Sequence, residues 1–193
     1  MRLLALLLSP IFFLASACSS LHYSKVKPGT LKGRLVVEWI GHDDFVFIPD
    51  PESPLRFIRH DDTVIAPKRM RTDGGSIPRP LWAFRSYSPW GYAPAFIVHD
   101  WLFEAHHLND PEYDHFTLEE SALVMSEVMK TMMEKNLKEK GERPEEFVMY
   151  SMYLAVKSSI ARSWWDGKGR PILEGVPPPE GIAKDRWTLD YGD

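Results

Sequence analysis

"AFIVHDWLFEAHH", residues 95–107, sets an adjacent His-Asp pair in the middle of a strongly apolar run, with a glutamate and two more histidines close behind. The stretch predicts a helix that starts near Pro94, a residue suited to a first helical turn, and runs to about His107. It is either a core helix whose polar residues are satisfied or a helix built to hold a base and a cation.

After this helix the pattern stays helical. Asn109 to Phe116 is a polar, acidic connection, and the segment after it opens with a capping box, Thr117 with Glu120, and stops at Gly141. A third helix is expected from about Arg143–Phe147 to Gly167, with an apolar stripe of Tyr150, Leu154, Ile160 and Trp164. Residues 168–193, which include "VPPPEG", read as an extended C-terminal tail.

Before the helix the pattern is that of strands. Leu31 to Ile40 and Asp44 to Asp50 are rich in β-branched and aromatic residues. Leu55 to Arg59 and Thr63 to Ala66 form a hairpin about His60-Asp61-Asp62. The fold class is therefore α+β: an N-terminal antiparallel β meander followed by a helical half of about three α-helices.

The 193 residues, 44% hydrophobic and 26% charged, suit one globular domain, placed at residues 31–167. A net charge of −4 without a basic block argues against a nucleic-acid partner. Arg2, the apolar run Leu3 to Leu14 and the small residues Ala15 to Ala17 read as a signal peptide, residues 1–17. The only cysteine follows at Cys18, and "LASAC" resembles a bacterial lipobox, in which that thiol is lipidated. Residues 18–30 are then a lipidated cysteine and tether. The protein is expected to be exported and lipid-anchored in the bacterial cell envelope, and Ser19-Ser20 points to the outer membrane. The membrane is thus its expected partner.

The His-Asp pair can work together when each residue faces a different part of one cleft. His99 would take a proton from water while Asp100 holds a cation. A carboxylate from another element would orient His99, and the loop Asp73, Gly74, Gly75, Ser76 could supply cation oxygens. An alternative is a metal stripe of Asp100, Glu104 and His107 at i, i+4 and i+7, with Asp110 and Asp114 beyond, suited to Zn2+.

"TDGGSIPR" (Thr72 to Arg79), followed by "HDWLF" (His99 to Phe103), resembles a domain-of-unknown-function family (DUF1353-like) common in tailed phages and prophages. The resemblance covers Leu31 to Trp165. The same order of motifs is more distantly similar to prokaryotic secreted phospholipases of the A-two type. That similarity implies His99 as the catalytic base, Glu120 (or Glu119) as the acid that orients it, and Ca2+ on Asp100 with the Asp73–Ser76 loop. Phe103 stands where those enzymes have tyrosine, and their cysteines are absent here.

The reading that follows is a calcium-dependent, membrane-anchored phospholipid ester hydrolase. Two alternatives remain open. One is a non-enzymatic envelope lipoprotein whose motif residues are structural; the other is a metal-dependent cell-wall amidase or peptidase, for which zinc would be the metal.

Overall fold

Turn formers cut the first third of the folded chain into short strands. β1 (Thr30–Lys32), β2 (Arg34–Gly41), β3 (Asp44–Pro49), β4 (Arg56–Ile58), β5 (Val64–Ile65) and β6 (Met70–Thr72) form in a computed structural model that describes residues 16–41, 44–72, 89–168 and 185–192. One antiparallel sheet has the order β1-β4-β5 and the other β6-β3-β2-β7, where β7 (Asp185–Asp190) comes from the far end of the chain. The hairpin read from the sequence is β4–β5, with Phe57 opposite Ile65 and Asp62 at φ 66° in its turn.

The single strand expected from Leu31 to Ile40 is two, because Gly33 breaks it. Its φ is +87°, and a Cβ there would lie 2.2 Å from the Pro54 carbonyl oxygen, so only glycine fits. The Gly33 N–H donates to Gly192 O at 2.7 Å, and its carbonyl accepts from Tyr191 N–H at 2.9 Å. The same kink therefore seats the chain end. Within the segment expected as an extended tail, residues 185–190 are an edge strand paired with β2 from Arg34↔Asp190 to Trp39↔Asp185.

Helix α1 covers residues 16–25, followed by α2 (Ala93–His107), α3 (Leu118–Lys140), α4 (Glu146–Val156) and α5 (Ser159–Trp165). The capping box on α3 forms as its spacing requires, and Gly141 closes that helix at φ 70°. The expected third long helix is two helices. Ser158 interrupts it and caps α5, its hydroxyl accepting from Ala161 N–H at 3.3 Å. The break resets the register, so the expected stripe is not the buried one. Leu154 and Ile160 are exposed, and α4 and α5 bury Met149, Met152, Val156, Ala161 and Trp165.

The core lies between Leu35, Val37, Phe47, Phe57 and Ile65 of the sheets and the buried sides of α2, α3 and α4. Residues 18–30, expected as a tether, pack onto α3. His22 Nε2 meets Ser126 Oγ at 3.2 Å, and the Gly29 N–H donates to Thr131 Oγ1 at 2.9 Å. The buried Lys130 ammonium donates to the carbonyls of Tyr23 at 2.8 Å and Val26 at 2.9 Å, satisfying acceptors that the end of α1 leaves open.

A bidentate pair joins the hairpin to α3. Arg59 Nε and Nη2 donate to the two Glu127 carboxylate oxygens at 2.7 and 2.8 Å, and the Glu127 side chain is 2% exposed. The pair holds the Arg59 proton more firmly than usual. Removing one partner would leave a buried charge alone. Glu127→Ala is expected to cost about 3–5 kcal/mol, read as a drop in the midpoint of thermal or urea unfolding.

Candidate functional site

The site is built where the end of β6 meets the middle of α2. Thr72 is the last residue of β6 and 5% exposed. Its hydroxyl donates to Asp100 Oδ2 at 2.7 Å. The other oxygen, Asp100 Oδ1, lies 3.3 Å from His99 Nδ1. Adjacent helical residues diverge by about 100°, yet these two side chains turn toward one another. Asp100 remains partly open, whereas His99 is 2% exposed.

The second ring nitrogen is the notable one. His99 Nε2 is buried and has no hydrogen-bond partner among the described residues. In the tautomer whose Nδ1 proton is directed to Asp100, Nε2 carries the lone pair of the ring. Leaving such an atom unanswered costs about 1–3 kcal/mol, so it is uncommon in a purely structural network.

Aromatic rings hold the imidazole in place. His99 lies 4.9 Å from Phe103, Phe103 meets Trp165 edge-on at 4.8 Å, and His106 stacks on Trp165 at 4.0 Å. The row follows the less buried stripe of α2 and couples it to α5. Phe103 presents no hydroxyl here, so Thr72 supplies the one that reaches Asp100.

Other expected site residues are occupied elsewhere. Glu120 is exposed, and its Oε2 accepts from both the N–H and the hydroxyl of Thr117 at 2.8 Å; its described contacts lie in the α3 cap and not at His99. Glu119 pairs with Arg162 of α5, which keeps its carboxyl below the usual range. Asp73, Gly74, Gly75 and Ser76 lie outside the described residues. Along the candidate metal stripe, Glu104 is buried, and His107 directs Nδ1 to Phe103 O at 2.7 Å and Nε2 to Trp164 O at 3.2 Å. Asp110 accepts from Lys68 at 2.6 Å. Among the described residues no group of three or more His, Cys, Asp or Glu is placed to hold a metal ion. Cys18 is exposed on α1.

Sequence reasoning passed over Thr72 and Trp165. Thr72 opens the quoted TDGGS motif, which was a signal of sorts. Nothing local marks Trp165 as the partner of Phe103 and His106.

The fold and site define an α+β domain with a carboxylate-held imidazole on a core helix. The family model described as "Protein of unknown function (DUF1353)" matches residues 52–156, more than half of the chain, and the chain belongs to that family. The match takes in β4–β6, the His-Asp pair, α3 and α4. No curated protein and no solved structure matches the chain.

The His106 imidazole is held below its ordinary value of 6.5, by burial first and by the charge of His107 second. His22 shifts the same way, through burial and then Lys157. The folded chain therefore refuses protons that the unfolded chain accepts as pH falls through about 6.5. Stability should decline across that window and level off once the pH lies below the folded values. Unfolding midpoints between about pH 7.5 and about pH 5 measure it, and His22→Gln with His106→Gln should flatten the decline.

Proposed function

We propose that this protein is an exported, lipid-anchored hydrolase of the bacterial envelope, that its substrate is a phospholipid ester, and that His99 is its general base. One observation carries the catalytic part: a buried imidazole with one nitrogen beside a carboxylate and the other without a partner among the described residues. In this reading a water donates to His99 Nε2. As its oxygen attacks the ester carbonyl carbon, the proton passes to Nε2 and Asp100 stabilises the imidazolium. The carbonyl π electrons move to oxygen, then return as the C–O bond to the alcohol breaks. The same proton then passes from Nε2 to the departing alkoxide. Thr72 fixes the carboxylate that fixes the base.

The resemblance to calcium-dependent phospholipases raises the question of a cation at Asp100. The described residues bring one carboxylate there, whose oxygens already serve His99 and Thr72, and calcium takes about 6–8 oxygens. Asp73 to Ser76 would have to supply the others. Calcium would polarise the ester carbonyl, and its contribution is read directly by a chelator. Anchoring rests on the signal-like run before Cys18 and on the exposure of that residue. Among the described residues no helix is long and apolar enough to cross a membrane.

A second reading has an observation of its own. His99 is 2% exposed and packed by Phe103, so the Thr72–Asp100–His99 chain would serve to lock β6 onto α2.

Fatty-acid release from phospholipid vesicles by the acylated full-length chain separates the two. His99→Ala should lower release by about 10²–10⁴-fold while the protein stays folded, and Asp100→Asn should lower it and change its pH profile. Arms with calcium and with chelator read the cation. Absence of release in every arm, or release unchanged in His99→Ala, would sink the hydrolase reading.

A further inference from the structure

We infer that α1 and α4 present one face that lies directly on the lipid surface, so that the domain is docked on the membrane and not suspended from it. This rests on the lipid-anchored reading of Cys18 proposed above.

The first argument is length. In that reading the acyl chains leave the protein at Cys18, and the fold begins at the next residue. The Ser20 hydroxyl donates to Glu146 at the start of α4. His22 lies 4.3 Å from the Tyr153 ring and 5.4 Å from the Tyr150 ring of α4. Lys130 and Thr131 hold the chain as far as Gly29. No slack chain separates the lipid from the packed helix. A residue three positions on, such as Leu21, stands about 4.5 Å along the axis from the acylated one. The bilayer surface must then touch α1 and whatever packs beside it.

The second argument is what those helices leave uncovered. Leu21 of α1 is 55% exposed, and Phe147 and Leu154 of α4 are 53% and 46% exposed. Phe147, Tyr150 and Leu154 fall on the side of α4 opposite its buried Met149, Met152 and Val156. Beside them Lys157 reaches over the Tyr153 ring at 4.7 Å and donates to its hydroxyl at 3.1 Å. Lys25 is exposed on α1. Aliphatic and aromatic side chains edged by tyrosine and lysine match the layering of an interface, where apolar groups enter the acyl boundary and ammonium groups stay with the phosphates.

The test uses the acylated full-length protein on vesicles of phosphatidylethanolamine and phosphatidylglycerol. Acylation consumes the only native cysteine, so an introduced one is the sole free thiol. A nitroxide at Leu154→Cys is compared with one at Leu189→Cys, an exposed position on β7, the edge strand of the four-stranded sheet. Docking predicts that the Leu154 label becomes severalfold more accessible to oxygen than to a water-soluble nickel chelate on vesicles, while the Leu189 label is unchanged. Equal, aqueous accessibility at both sites on vesicles that retain the protein overturns the docking and leaves the anchor standing. Absence of acyl mass on Cys18 overturns the anchor and the docking with it.

Discussion

Burial of α2 is the constraint from which the rest of the structure follows. From Ala93 to Ala105 only Asp100 and Phe103 escape full burial, because β6, α3 and α5 each cover part of the helix. A polar group in that position cannot turn to water and must find its partner inside the protein. Asp100, which is partly open, is bound by Thr72 and His99. His99 finds a partner with one nitrogen and leaves the other open. The contrast with Arg59 and Glu127 is instructive. That pair is also buried, yet it is bidentate and closed, as a structural ion pair must be to offset its desolvation. Among the described residues the Arg59–Glu127 pair is closed, whereas the Asp100–His99 cluster leaves His99 Nε2 without a partner.

The elements legible in the sequence were those whose signals are local. Pro94 and the run to His107 marked α2; Thr117 with Glu120 and Gly141 bounded α3; His60-Asp61-Asp62 marked the hairpin. What stayed hidden depends on residues far apart. The pairing of β2 with β7 joins Arg34 to Asp190 across 156 positions, and the short alternation of Trp187 and Leu189 in β7 does not name the strand it pairs with. The break at Lys157-Ser158 was locally readable as a serine cap but lay inside an otherwise helical pattern, and it displaced the expected stripe from Leu154 and Ile160 to Met152 and Val156. Packing of α1 on α3 relies on Lys130, which sequence alone presents as a surface lysine.

The site was half legible for the same reason. A His-Asp pair within an apolar run is a local signal, and it located His99 and Asp100. The orienting carboxylate was sought on α3, where Glu120 has an attractive position in the motif order. A glutamate three residues after a capping threonine is, however, already committed: its carboxylate serves the cap, and the cap places it at the exposed start of the helix. Asp100 can turn back to His99 because Thr72 draws its other oxygen toward β6. The carboxylate found beside His99 is its chain neighbour Asp100, expected from sequence as a cation ligand, and Thr72 of the neighbouring strand holds its other oxygen.

One stretch of α3 ties these features together. Ser126, Glu127, Lys130 and Thr131 fall within two turns, and each reaches a different part of the chain: His22, Arg59, the carbonyls at the end of α1, and Gly29. On its other side α3 packs along α2, the helix that carries His99. The N-terminal segment, the β4–β5 hairpin and the candidate site are thus held by a single rigid helix, through polar contacts made largely by buried groups. The N-terminal segment and the helix that carries His99 are thus fixed to one another through α3.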